Sequence, residues 1–339
     1  MPTTAVDAIT VAFAHTRQSL FAPFRWGQWV RLAVVGMLSG EMGGGGGCNY
    51  MSSFRPPTPS AHHAQMQSLL AINMPAMAGV AAALVVCALG AFLLFIYINS
   101  RMRFVLFDSV IRRECHIRQY WSQRAEPAFG YFVWQLLFGL ATLVVLAVVV
   151  GPPLMLAAAG GWFSDPGAHL AAVVLTAAVV FVVFFGLIVA VAVIHVLTKD
   201  FVVPQMALEG VTVREGWTRL WARMSSEKVA YAAYIGMKIV MTIATTIMIS
   251  IVGVILALIV LIPVGGVGAI AVIGGAAAGM TWNPVTIAIV VALCGTVVLA
   301  LIFIFAMISV PLVVFYPAYS FHFFAGRYPP LQAALTTRG

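Results

Sequence analysis

The stretch Lys199–Lys228, KDFVVPQMALEGVTVREGWTRLWARMSSEK, decides the fold. Long apolar runs flank it on both sides. Besides Lys199 it holds Arg214, Arg219, Arg223 and Lys228, in a chain where charge is scarce. An apolar helix arrives through Ala171–Leu197 and runs on past Asp200. Pro204 supplies no backbone N–H and loosens the last turn. Glu209-Gly210 reads as a helix stop, with glycine in the left-handed position. Thr212-Val213-Arg214-Glu215 has the spacing of a capping box, Thr212 accepting from the amide of Glu215 and Glu215 reaching back. The next helix carries Val213, Trp217, Leu220, Trp221 and Met224 along one side, and its arginines largely on the others. That pattern predicts an amphipathic helix at a bilayer surface, tryptophans at headgroup depth and arginines toward phosphates.

A weaker copy lies upstream. Ile117-Arg118-Gln119-Tyr120-Trp121 matches Val213-Arg214-Glu215-Gly216-Trp217, and each follows one apolar helix and precedes another. The shared plan is helix, sharp turn, surface helix, helix, with units around 101–128 and 199–228. Ala5–Phe21 followed by Trp26–Leu38 looks like the second half of such a unit. A helix ending near Phe324, a stop at Gly326 and Arg327–Leu335 look like the first half. Internal repetition in membrane proteins often marks pseudo-symmetry.

Apolar residues make up 62% of the chain and charged residues 8%, with a mean hydropathy of +1.03. A soluble domain carries about 25% charged residues. The composition therefore predicts an all-α integral membrane protein in one polytopic domain over 1–339. Several runs exceed the roughly 20 apolar residues that cross a bilayer, and none alternates as a barrel strand does. Cys48, Cys87, Cys115 and Cys294 are scattered, with no pairing or metal spacing.

Six crossings are expected. The first starts at Trp26–Leu38 and runs on toward Gly47, through the five glycines Gly43–Gly47; an exposed loop with Pro56, Pro57, Pro59, His62 and His63 follows. The others are roughly Ile72–Asn99 (extended to Arg112), Phe129–Val150, His169–Thr198, Val229–Ile262 and Val285–Phe324. Gly151–Gly167 reads as a turn region. Pro263–Pro284 reads as an uncharged Gly/Ala loop that could dip back into the protein. Six crossings put both termini on one side. Arg17, Arg25, Arg31, the Arg101–Arg124 cluster, Lys199–Lys228, Arg327 and Arg338 fall on that side, and Arg55 on the other. This asymmetry predicts cytoplasmic termini. It accounts for the net charge of +8 without a nucleic-acid partner.

Within the membrane, Tyr231, Tyr234, Lys238, Thr242 and Thr245 share one face of the fifth crossing. With Gln135 they form a candidate polar path. An ionisable residue at membrane depth is a functional candidate. A lysine two to three turns in can also snorkel to the interface, and threonines can bond their own helix. A second set, Arg112, Arg113, Arg118, Trp121, Arg214, Trp217, Arg219, Trp221 and Arg223, forms a basic, Trp-rich collar suited to lipid headgroups. Asp108, Glu114, Asp200, Glu209 and Glu215 lie near these arginines and predict structural ion pairs across the pseudo-repeats, with an acidic–basic groove for a lipid headgroup as the alternative. The single histidine His195 and the pair His62-His63 are weak metal candidates. No catalytic motif is present, and no cofactor or metal is expected.

The pattern D-F-V-V-P-x-M-x-x-E-G-V-x-V-R-E-x-W at Asp200–Trp217, with I-R-x-x-W at Ile117–Trp121, resembles uncharacterised bacterial six-helix membrane proteins. These look like the YciC-like family and the membrane domain fused to some glycerophosphodiester phosphodiesterases. The resemblance implies a bacterial inner-membrane location and cytoplasmic amphipathic elements; it brings no activity. Two functions stand as expectations. One is a non-enzymatic scaffold or accessory subunit of a membrane complex or homo-oligomer, with a dry interior and a snorkelling Lys238. The other is a transporter or lipid-handling permease, with a continuous polar cavity around Lys238, Thr242 and Gln135.

Overall fold

Away from water a backbone must satisfy its own hydrogen bonds, and helices do so here. The computed structural model describes residues 4–22, 24–41, 74–162, 167–277 and 284–337, and these contain helices and turns but no strand. In chain order the helices are α1 (Asp7–Phe21), α2 (Trp26–Leu38), α3 (Met74–Arg112), α4 (Ile117–Gln123), α5 (Ala125–Ala159) and α6 (Leu170–Leu197). A π-helical turn, Thr198–Val202, joins α6 to α7 (Val203–Glu209). Then come α8 (Val213–Ser226), α9 (Lys228–Ala277), α10 (Pro284–Ala325) and α11 (Pro329–Thr336).

Among the described residues, five helical stretches are long and apolar enough to cross a membrane: Gly79–Arg112, Ala125–Ala159, Leu170–Glu209, Lys228–Ile262 and Ala288–Ala325. α2 has 13 residues, about 20 Å at 1.5 Å per residue, too short to cross a core of about 30 Å. The expected continuation toward Gly47, the glycine run and the loop with His62-His63 lie outside the described residues.

In two expected loop regions the preceding helix runs on. α5 passes through Pro152 and Pro153 and ends at Ala159, where Gly161 turns with φ +70°. α9 passes through Pro263 to Ala277, so most of the expected loop is helix. Where no water replaces a lost hydrogen bond, continuing the helix past a proline costs less than exposing a whole turn of backbone.

The helices pack at one end, here called the base. There α1 lies across α10 and α2 runs beside α3. The Asn99 amide donates to the Leu38 carbonyl at 2.9 Å, and Gln28 Nε2 to the Arg113 carbonyl at 2.8 Å. Gly36 of α2 meets Val313 of α10 so closely that a β-carbon would stand 2.5 Å from Val313 Cγ2. The core is aromatic: Phe104, Tyr131, Phe201, Tyr234, Tyr319, Phe323 and Phe324 are all fully buried. Toward the other end the apolar side chains of α3, α5, α6, α9 and α10 are exposed. In four of the five spans the most apolar stretch buries no residue inside the protein, and in the fifth 33%.

The deciding stretch folds largely as its chemistry dictates. Pro204 cannot donate to the carbonyl one turn back, and the preceding turn widens so that the Val203 amide bonds Thr198. Gly210 takes φ +68°, and its amide bonds Met206 at 3.0 Å. Thr212 Oγ1 accepts from the Glu215 amide at 3.3 Å, but the Glu215 carboxylate turns to Arg219 at 2.5 Å instead of reaching back. α8 also differs from expectation. Val213, Gly216 and Leu220 are buried against the protein's own base, with Trp217 and Met224 half-buried beside them. Its apolar side is therefore spent on internal packing, and Trp221, 67% exposed, points away.

Candidate functional site

Five charged side chains converge inside the base. The π-turn presents Lys199 and Asp200 inward, α3 brings Arg103, α9 brings Lys238, and Glu41 follows α2. Lys199 Nζ donates to Glu41 Oε2 at 2.5 Å, and Arg103 Nη1 to Glu41 Oε1 at 3.1 Å. Arg103 Nη2 also donates to the Ser39 carbonyl at 2.9 Å. Asp200 Oδ2 accepts from Lys238 Nζ and, at 2.8 Å, from the Tyr234 hydroxyl. Ser320 Oγ lies 2.8 Å from the Tyr234 oxygen. Asp200, Glu41, Lys238 and Arg103 are all nearly inaccessible to water.

Burying an ion costs several kcal/mol, and only close pairing with further hydrogen bonds offsets it. Glu41 and Asp200 meet this by each facing two donors. The cluster nonetheless holds three cations to two carboxylates. A cavity of about 20 Å³ lies among Glu41, Arg103, Lys199, Asp200, Pro317 and Phe321. That is room for about one water molecule. The rings of Tyr319 and Phe323 stack on that of Tyr234, with centroids 5.2 and 4.6 Å from it.

Of the candidate polar path, Tyr231, Tyr234 and Lys238 are buried in the base. Thr245 Oγ1 lies 2.5 Å from the Tyr316 hydroxyl and bonds the Met241 carbonyl at 2.8 Å. Thr242 is half-buried on the same helix. Gln135 lies on α5, and its Oε1 is buried without a hydrogen-bond partner. Lys238 does not snorkel; its ammonium is spent on Asp200. The cavity beside the cluster is small, about 20 Å³.

The collar residues divide. Arg118 and Arg214 are exposed, as is Trp221. Trp121 is half-buried and carries the Arg101 guanidinium over its ring at 5.2 Å. Trp217 packs against the core. Arg219 bridges Glu209 and Glu215. Arg223 lies over the rings of Tyr328 and Phe324, 4.9 and 5.6 Å from their centroids. Arg112 and Arg113 border a separate groove beside α1. Each of the five acids has a cation, Asp108 with Arg124, Glu114 with Arg25, Asp200 with Lys238, and Glu209 and Glu215 with Arg219, but none of these pairs joins the two repeat units as expected. Glu41 is the residue sequence reasoning missed. It is the sole carboxylate between Asp7 and Asp108, and an isolated charge at the end of an apolar helix is itself a signal. Among the described residues no three of His, Cys, Asp and Glu come together as a metal site.

The model of a family of unknown function, DUF7544, matches residues 3–334. The chain belongs to the DUF7544 family. No curated protein and no solved structure matches it. The match to DUF7544 covers the base, the charge cluster and the five apolar spans. It carries neither the YciC-like nor the phosphodiesterase-domain likeness with it.

Proposed function

We propose that this DUF7544 protein is a non-enzymatic scaffold or accessory subunit of a complex in the bacterial inner membrane. One observation carries the reading: the charges are sealed at the base while the apolar flanks of the spans stand uncovered. A permease needs its helices closed around a polar route. Here the charges are taken up in buried ion pairs around a cavity the size of one water, and in four of the five spans the most apolar stretch buries no residue. Uncovered helix flanks suit packing against other membrane helices, which depends on shape and close contact rather than on water exclusion.

The finer topology belongs to the same proposal. Six crossings follow if the chain passes from Glu41, at the base, to Met74, at the opposite end of α3. The basic residues gathered at the base support a cytoplasmic orientation for it. The two surface-helix units are read as pseudo-repeats. Their left-handed turns, Arg113 and Gly210, fall one position out of register with the pairing of Trp121 and Trp217. The likeness to YciC-like proteins stands on the same footing.

Extraction at native expression into lipid nanodiscs, with mass analysis of the intact particle, tests the reading. The expected result is an assembly of fixed stoichiometry, larger than one 36.2 kDa chain. A lone chain carrying a stoichiometric solute overturns it and supports the permease. That second reading is favoured by two features, the unpaired Gln135 Oε1 and the extra cation of the cluster.

A further inference from the structure

A second polar site lies at the surface of the base. It is a groove of about 530 Å³ between the α1–α2 turn and the end of α3, bordered by Gln18, Arg25, Gln28, Arg112, Arg113 and Glu114. Three guanidiniums face one carboxylate. Glu114 is engaged by Arg25 at 3.6 Å and by His116 at 3.2 Å. Asp108, the other acid near Arg112, is 3.9 Å from it and is already gripped by both arms of Arg124 at 2.8 and 3.0 Å. The Nε atoms of Arg112 and Arg113 are shut off from water and have no hydrogen-bond acceptor. A buried donor left unmade costs about 1–3 kcal/mol, so both side chains are held beside the groove at an energetic cost.

The backbone points the same way. Arg113 has φ +56°, the one non-glycine with positive φ among the described residues. The corresponding turn after α7 uses Gly210 without strain. At Arg113 the chain accepts a disfavoured conformation and keeps a guanidinium there, locked by the bond from Gln28 to its carbonyl. Strain held in place by surrounding structure is a mark of sites that bind.

The flank of the groove distinguishes a lipid from a soluble anion. Phe21, Phe24 and Trp26 surround Ala22 and Arg25 and are 55%, 52% and 61% exposed. Aromatic side chains of this kind sit at headgroup depth. From Trp26 the exposed Val34 and Met37 continue along one face of α2, a track for an acyl chain. We propose that the groove is a phospholipid site, taking the lipid phosphate on Arg25, Arg112 and Arg113 by charge-assisted hydrogen bonds. This inference needs only that the chain lies in a membrane, and it holds for a scaffold or a permease alike.

The test uses the full chain, delipidated in detergent and titrated with phosphatidylglycerol while bound lipid is counted by native mass spectrometry. One lipid per chain is expected to bind saturably. Arg112→Gln with Arg113→Gln is expected to weaken it by roughly tenfold or more. Lys228→Gln, an exposed cation outside the groove, is expected to leave it unchanged. Arg113→Gly relieves the strained turn, so it keeps thermal stability while losing lipid affinity and separates binding from folding. An equal loss in Lys228→Gln, or no saturable lipid, overturns the proposal. Inorganic phosphate or glycerol 3-phosphate that displaces the lipid at equal concentration makes this a soluble-anion site and overturns the lipid assignment.

Discussion

Lys238→Leu leaves Asp200 buried with the Tyr234 hydroxyl as its remaining close donor. An uncompensated buried charge of this kind costs about 3–5 kcal/mol, so a marked fall in melting temperature is expected in detergent. Adding Asp200→Asn removes the stranded charge, and the double variant is expected to recover most of the loss. A double variant no better than the single one shows that the pair does not carry the cost. His15 gives a second test. Its Nε2–H donates to the Val110 carbonyl at 2.9 Å, and its ring meets that of His322 with centroids 5.3 Å apart. Burial pushes its pKa down, the Val110 carbonyl holds it up in part, and Arg113 adds to the fall. The unfolded chain therefore takes up a proton below about pH 6.5 that the folded one refuses, and stability drops as pH falls through that value. His15→Gln, which keeps a donor for Val110, is expected to flatten a melting curve measured between pH 8 and pH 5. The inward face of Tyr231, Tyr234 and Lys238 is legible in sequence because helical spacing alone defines it. The partners are not, since Asp200 and Glu41 meet their cations through tertiary packing that no local pattern encodes.

At the level of elements, close approach replaces charge. A β-carbon on Gly36 would stand 2.5 Å from Val313 Cγ2, and one on Gly216 2.7 Å from Val202 Cγ1. Gly36→Ala is expected to loosen α2 from α10 at a cost of about 1–3 kcal/mol. Val313→Ala in the same chain makes room and is expected to restore part of it, as read by thermal melts. If the pair is no more stable than Gly36→Ala alone, the contact is not what holds α2. The stop at Gly210 and the Thr212 cap are readable because turn chemistry is local. The length of α5 and α9 was not, because Pro152, Pro153 and Pro263 normally end helices in water. Their surroundings change that balance. The seat of α8 was also hidden: an apolar stripe looks the same whether lipid or protein covers it.

The whole molecule is stiff at one end and open at the other. Five spans of 34 to 40 residues reach about 50–60 Å, well beyond a hydrocarbon core of about 30 Å. The exposed apolar lengths alone are enough to fill it, which leaves the base at or outside a membrane interface, the cytoplasmic one under the proposed orientation. In a chain with its four cysteines replaced by alanine, Trp221→Cys is expected to react with an impermeant maleimide in inverted vesicles and not in right-side-out ones. Val183→Cys is expected to react in neither. The opposite sidedness at position 221 reverses the orientation.

The contact of α1 with α10 bears on how such a protein is made. His15 and His322 are brought together from positions roughly 300 residues apart, and contacts of that range form late. The first helix leaves the ribosome long before its seat exists. Until α10 is synthesised and inserted, its apolar side and Arg113 at the neighbouring turn have no cover, which leaves the nascent chain open to chaperones and proteases. Docking of α1 then reports that synthesis has reached the last span.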